Sequence, residues 1–409
     1  MKTTSFLTIF MSLVILQRAA ASSADEEKLA AANNVFAFKL LKEIASEQPA
    51  TNIFISPYSA SAVLQMVANG AAGQTKTEMQ KVLGTSTAST GLSGADLNAA
   101  NKQIAQSLHD GNADVILEIA NGIWCHKTAP IKPDFIACNK EFFGATVDPL
   151  DFADPHSADI INHWASEKTH GRIPQITDPE MLDPIYGRLF LANAVYFKGK
   201  WSDPFDANDT HDRPFYLRDA GQKIVPMMSK SKTFTYREGT GYQAVRLPYK
   251  DENLAMYVFL PDTNSSPEKL LRLMNGDVWR RITKPGFADE DGDLQLPKFK
   301  IDYSVKLVQP LQELGMKMAF DATNADFSGI SPQQLYISEV LQKSFVEVKE
   351  EGTEAAAVTG IAMTEAASMP IIPPKHFEMI VNRPFLFLIE DNQTGTILFM
   401  GLIYDPSNT

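Results

Sequence analysis

The stretch with the strongest claim to chemistry lies between Glu350 and Met369 and reads EEGTEAAAVTGIAMTEAASM. An acidic doublet opens it, small uncharged residues follow, and its end is a candidate protease cleavage site. The chemistry it suggests is that of a substrate. Read with a period of two, Thr353, Ala355, Ala357, Thr359, Ile361 and Met363 fall on one face, and Glu354, Ala356, Val358, Gly360, Ala362 and Thr364 on the other. The first face carries no charge, and its early residues are small enough to enter a packed sheet without overfilling it. Taken alone, the run reads as well as a helix or plain linker as it does as a strand that could enter a sheet, because alanine has the best helix propensity. The flanks have to decide.

Catalytic sets are nearly absent elsewhere. There is no His-Glu-x-x-His and no Gly-x-Ser-x-Gly. Gly70 to Thr77 fails as a phosphate loop, since Thr75 stands where a glycine must precede the lysine and a helix, not a strand, leads into it. His163 and His170 are seven positions apart, a separation that on a helix reads as a solvated face. Ala288 to Asp293 reads as loop charge without the spaced ligands and closing Glu of a calcium loop. Cys125 and Cys138 offer too few ligands for a metal. Neither a metal nor a cofactor is expected.

The elements around the substrate-like stretch are strands. Ser344 to Glu350 alternates polar and apolar residues, and Pro370-Ile371-Ile372-Pro373-Pro374 cannot join a regular strand or helix. Phe377 to Ile389 then resumes as a mostly apolar strand, and Thr396 to Gly401 forms another after the turn-like Asp391 to Gly395. The stretch is slung between strands.

With these flanks, the chain resembles a serpin from about Ala30 to Pro406. Four separated motifs carry the resemblance in family order. They are Asn52-Ile53-Phe54-Ile55-Ser56-Pro57-Tyr58-Ser59 with the turn Gly70 to Thr75, Leu191 to Trp201, the hinge Glu350 to Ala357, and Val381 to Phe387. The resemblance implies an α+β serpin fold: a mixed central five-stranded sheet, two further sheets, about nine helices and an exposed reactive-centre loop at about 350–376. Its proximal hinge would be Glu350, Glu351, Gly352, Thr353, Glu354, Ala355, Ala356 and Ala357. Ser56, Ser59, Asn193 and Gln342 would form the shutter, and Trp201 would cap the opening above it. Many family members carry a histidine where Gln342 stands.

Family spacing from Gly352 places the reactive bond at Ala366-Ala367, or at Ala367-Ser368 if the register is one longer. Alanine suits the small pocket of elastase-like enzymes. The implied partner is a serine protease, held as a covalent acyl-enzyme while the cleaved loop enters the central sheet. The inhibitor would be a monomer without a cofactor. The helix expected over 96–108 has Lys102 as its only cation, so heparin activation through it is not expected. A non-inhibitory carrier, storage or chaperone role is the alternative, disfavoured by Thr353 and the alanines and by the lack of proline between Gly352 and Ser368.

Compartment and modification are read from the residues themselves. Lys2, the apolar run Phe6 to Leu16 and Ala19-Ala20-Ala21 describe a signal peptide over 1–21, too short in its apolar run for a membrane anchor. This predicts a secreted, extracellular protein with one domain over 22–409 and no membrane span. The formal net charge of -12 disfavours nucleic acid and anionic membranes as partners. Asn208, Asn264 and Asn392 head glycosylation sequons, the third in a tight connection. In an oxidising compartment Cys125 and Cys138 either bridge or remain two buried thiols.

Overall fold

Alternating β-rich and helix-forming segments build two sheets and a layer of helices. The computed structural model describes residues 4–109, 114–182, 188–250, 252–283, 286–352 and 376–407, with the side chains of 4–23 and 109 outside the description. In chain order the elements are α1 (Thr4–Glu47), β1 (Ile53–Ile55), α2 (Pro57–Ala68), α3 (Gly73–Leu83), α4 (Thr87–Thr90), α5 (Gly94–His109), β2 (Val115–His126), α6 (Pro133–Phe143), β3 (Thr146–Leu150) and α7 (Ser157–Lys168). There follow β4 (Arg188–Gly199), β5 (His211–Tyr216), β6 (Gln222–Gly239), β7 (Tyr242–Pro248), β8 (Leu254–Pro261), α8 (Pro267–Leu273) and α9 (Gly276–Thr283). The chain ends with β9 (Ala288–Pro297), β10 (Phe299–Lys306), α10 (Val308–Glu313), β11 (Tyr336–Val348), β12 (Phe377–Ile380), β13 (Phe385–Asp391) and β14 (Thr396–Ile403).

The central sheet has five strands in the order β10-β11-β4-β2-β3. It is mixed: β11 and β4 run parallel, whereas β10 on one side and β2 on the other run antiparallel to their neighbours. The other nine strands form one continuous hydrogen-bonded arrangement in which the two further sheets expected from the sequence share β6. This strand is long enough for both, pairing with β9 over 227–236 and with β7 over 235–239. Strands β8, β13 and β14 are buried along their whole length, and α1 and α2 cover β14. No helix among the described residues is long and apolar enough to cross a membrane.

Local sequence explains the helix that matters most for the site. Ser56 is the N-cap of α2, its Oγ accepting from the Ser59 backbone N–H at 3.3 Å, and Pro57 occupies the first helical position where a missing N–H costs nothing. Every residue of α2 is buried. A helix buried all round must satisfy its polar side chains internally, and Ser59, Ser61 and Gln65 all do so.

Three expectations change. The strand expected over Phe377 to Ile389 is broken at 381–384: β12 pairs parallel with β9, whereas β13 pairs antiparallel with β8 and β14. Pro384 stands in the break, where it can donate no ladder hydrogen bond. The acidic run at 288–293 is strand β9 rather than a loop, with Asp289, Asp291 and Asp293 accepting from Thr235, Thr233 and Ser231 across from them. His163 is exposed on α7, but His170 lies past the helix end at φ +50° against Glu118, so the two do not share a face.

Candidate functional site: the junction of the two central strands

Strands β4 and β11 place Asn193 and Gln342 directly opposite each other. Gln342 Nε2 donates to Asn193 Oδ1 at 2.6 Å and to the Ser56 carbonyl at 2.9 Å, while Gln342 Oε1 accepts from the Ser56 N–H at 2.9 Å. One amide therefore ties both central strands to the cap of α2. Asn193 Nδ2 donates in turn to Ser59 Oγ, to Asn121 Oδ1 at 2.7 Å and to the Ala120 carbonyl at 3.3 Å. Ser56 Oγ closes the cluster on the Leu398 carbonyl of β14 at 2.8 Å. All of these side chains are buried, so each hydrogen bond is made where an unpaired group would be costly. Ser344, two positions beyond Gln342 on the same face, keeps its buried Oγ without a hydrogen-bond partner among the described residues.

The β4–β11 ladder stops at Tyr196 and Phe345. Beyond it, among the described residues, 346–348 of β11 pair only with β10 and 197–199 of β4 pair only with β2. The central strands part at this end. A turn over 349–352 occupies the mouth of the opening, with Lys349 and Gly352 bridged antiparallel at 2.8 and 3.1 Å and Gly352 bridged to Lys200. Trp201 holds the turn from the other side. Its Nε1 donates to the Lys349 carbonyl at 3.0 Å, its backbone N–H to the Glu351 carbonyl at 3.0 Å, and its ring stacks on Tyr249 at 4.7 Å.

Gly352 is demanded by this arrangement twice over. Its φ is +112°, and a Cβ there would lie 2.2 Å from the Gly199 carbonyl oxygen and 2.5 Å from the Trp201 nitrogen. Glu350 anchors the turn to neighbouring elements. Its carboxylate meets Lys298 Nζ at 2.8 and 3.0 Å and accepts from Thr210 Oγ1 at 2.8 Å, and its carbonyl accepts from the Phe205 N–H at 2.8 Å. Burial by itself raises the Glu350 pKa, but the Lys298 hydrogen bond, the backbone and Thr210 together bring it below the ordinary value.

Ser56, Ser59, Asn193 and Gln342 thus form one cluster, and Trp201, Glu350, Glu351 and Gly352 another at the parted end of the same strands. Thr353, Glu354, Ala355, Ala356, Ala357, Ala366, Ala367 and Ser368 lie outside the described residues. The sequence reading did not find Asn121, Lys298 or Thr210. Asn121 had left one signal, a buried amide type inside the apolar run Ile119 to Cys125; the other two are brought in only by tertiary contact.

The family model for serpins (serine protease inhibitors) matches residues 31–406. The chain belongs to the serpin family. Leukocyte elastase inhibitor of Bos taurus is 35% identical to this serpin over 390 residues, covering 93% of this chain and 100% of the relative. Serpin B6 of Pongo abelii is 36% identical over 385 residues, covering 92% and 99%. The native-state structure of a thermophilic serpin, tengpin, matches with a TM-score of 0.81 at 31% identity, covering 92% of this serpin and 94% of that chain.

The modification candidates separate clearly. Asn208 and Asn264 are exposed, whereas Asn392 is partly buried and its amide donates to the Glu252 carbonyl at 2.7 Å. Cys125 and Cys138 are both free thiols, Cys125 buried in β2 and Cys138 partly buried on α6 beside Asn98. Burial pushes the Cys125 pKa up to about 12 and, together with Glu141, raises that of Cys138. On α5, Lys102 sits 3.9 Å from Glu141. Among the described residues there is no cluster suited to a metal ion.

Proposed function

We propose that this serpin is a secreted inhibitor of elastase-like serine proteases that acts as a trap rather than as an enzyme. Residues 1–21 are its leader and 22–409 its single inhibitory domain. The protease attacks the carbonyl of Ala366, or of Ala367 in the longer register, and forms an acyl-enzyme. The freed segment then enters between β4 and β11 and carries the acylated protease with it before water can complete hydrolysis.

The observation that carries this reading is the antiparallel Lys349–Gly352 bridge at the parted end of β4 and β11. Continuing its register sets Thr353, Ala355, Ala357, Thr359 and Ile361 opposite Val348, Val346, Ser344, Gln342 and Val340, all buried positions of β11. The uncharged face of the loop sequence is then the one that meets the core. Glu350 to Ala357 act as the hinge, and the Gln342–Asn193 bond is the latch that separates as the new strand enters. The likeness to leukocyte elastase inhibitor supports an elastase-like target, and the alanines at the proposed bond agree with it.

Incubation with pancreatic-type elastase, followed by denaturing electrophoresis and sequencing of the released C-terminal peptide, tests the proposal. A denaturant-resistant complex and a new N-terminus at Ala367 or Ser368 are expected. Rapid cleavage without a complex, for every serine protease tried and at several ratios, would return the protein to a non-inhibitory role.

A further inference from the structure

The sequon Asn208-Asp209-Thr210 and the hinge share a residue. Thr210, whose hydroxyl an N-glycosylating transferase must recognise, donates that hydroxyl to Glu350 Oε1 at 2.8 Å in the folded chain. The same segment is also held at its start, where the Phe205 N–H donates to the Glu350 carbonyl at 2.8 Å. Asn208 itself is exposed on the short turn between these two attachments, with its Nδ2 and backbone N–H both donating to Asp206 Oδ1 at 2.9 Å. The acceptor residue is exposed while the recognition hydroxyl is tied to a residue 140 positions away.

We propose that Asn208 is an N-glycan acceptor gated by the hinge: it is modified only before residues 205–210 dock on Glu350. The step joins Asn208 Nδ2 to the anomeric carbon of a lipid-linked oligosaccharide pyrophosphate. The C–O bond to the pyrophosphate breaks, the lipid pyrophosphate leaves with the bonding electrons, and the amide gives up one proton. Lys298 strengthens the gate, because its ammonium holds the Glu350 carboxylate in the place where Thr210 reaches it. The other exposed sequon differs in kind. Ser266 of Asn264-Ser265-Ser266 makes its contacts within its own turn, to the Lys269 N–H and Glu268, and so needs no distant partner to dock.

The inference rests on passage through a secretory pathway, so the test separates the two. The chain is expressed in a glycosylating eukaryotic cell, once with residues 1–21 and once with an established leader in their place. Secretion in the first arm tests the leader; the second arm delivers the chain to the transferase in either case. Site occupancy in that arm is read by peptide mass spectrometry in the parent, Glu350→Ala and Glu350→Gln. The expected result is partial occupancy at Asn208, below that at Asn264, rising to loss of the unmodified Asn208 peptide in Glu350→Ala. Glu350→Gln keeps an acceptor for Thr210 and leaves occupancy near the parent's. Full occupancy in the parent overturns the gate, and an unmodified Asn208 in every variant overturns the acceptor. A joint rise at Asn208 and Asn392 in Glu350→Ala reports slower folding everywhere and also overturns the gate.

Discussion

Gln342 Nε2 lies 2.6 Å from Asn193 Oδ1, and this amide pair joins the two parallel central strands at the point where α2 is capped. Removing the Gln342 side chain leaves Asn193 Oδ1 and the Ser56 N–H buried without these partners. Gln342→Ala is expected to lose about 1–3 kcal/mol per orphaned group, measured as the urea midpoint. Gln342→His makes the cluster titratable. A buried imidazole resists protonation, so its folded pKa lies below the unfolded value of about 6.5. Stability is then present above that value and lost as pH falls through it, so the variant's urea midpoint should drop relative to the parent's across this range.

Gly352→Ala puts a Cβ against the Gly199 carbonyl and forces a left-handed backbone on alanine. Strain of this type costs about 1–3 kcal/mol, and the steric contact adds to it. A lowered melting temperature is expected, together with a higher ratio of inhibitor to protease needed for complete inhibition. An unchanged ratio would show that the turn plays no part in trapping.

Glu350 gives the hinge an acid limit. Its folded pKa lies below the ordinary 4.5, so the stabilisation is complete above that value and is lost as pH falls through the folded one. The stability difference between the parent and Glu350→Gln should be present at pH 7 and shrink in acid. Equilibrium unfolding of both proteins at a series of pH values checks it.

Thr353→Arg tests insertion itself. In the continued register residue 353 faces Val348, so the variant must bury an unpaired guanidinium. It is expected to be cleaved by elastase as an ordinary substrate, while Thr353→Ser still forms the resistant complex. Equal complex formation by Thr353→Arg and the parent would remove insertion from the mechanism.

The two thiols should differ in reactivity. Cys125 is fully buried with its pKa near 12, and Cys138 is partly accessible. Alkylation of the native protein should label Cys138 alone, slowly, and Cys125 only after unfolding. Peptide mapping reads the outcome.

Much of this arrangement was legible beforehand where the cause is local. The bounds of α6 have a local cause, with Pro133 at its start and Gly144 past its end in a left-handed conformation. Gly352, Ser56 and Trp201 are picked out through the motifs that resemble the serpin hinge, shutter segment and central strand, whereas the role of Ser56 as the cap of α2 is seen only in the structure. The break at 381–384 was not, since Phe377 to Ile389 is apolar throughout and its two halves differ only in the strands they pair with. The acidic face of β9 was misread for a similar reason: its charges are offset by hydroxyls on β6, more than 50 positions earlier.

The amino-acid sequence by itself determined the strand leading into the loop, the family and an uncharged loop face, because periodicity and backbone sterics act over a few residues. Only the tertiary structure decided that Asn121, Asn193 and Gln342 stand side by side on three strands, that Lys298 and Thr210 converge on Glu350, and that β4 and β11 part beyond Tyr196 and Phe345. Strand order and register bring together residues 52 to 149 positions apart, and a hydrogen bond between them depends on that register rather than on any feature of the residues' own neighbourhoods.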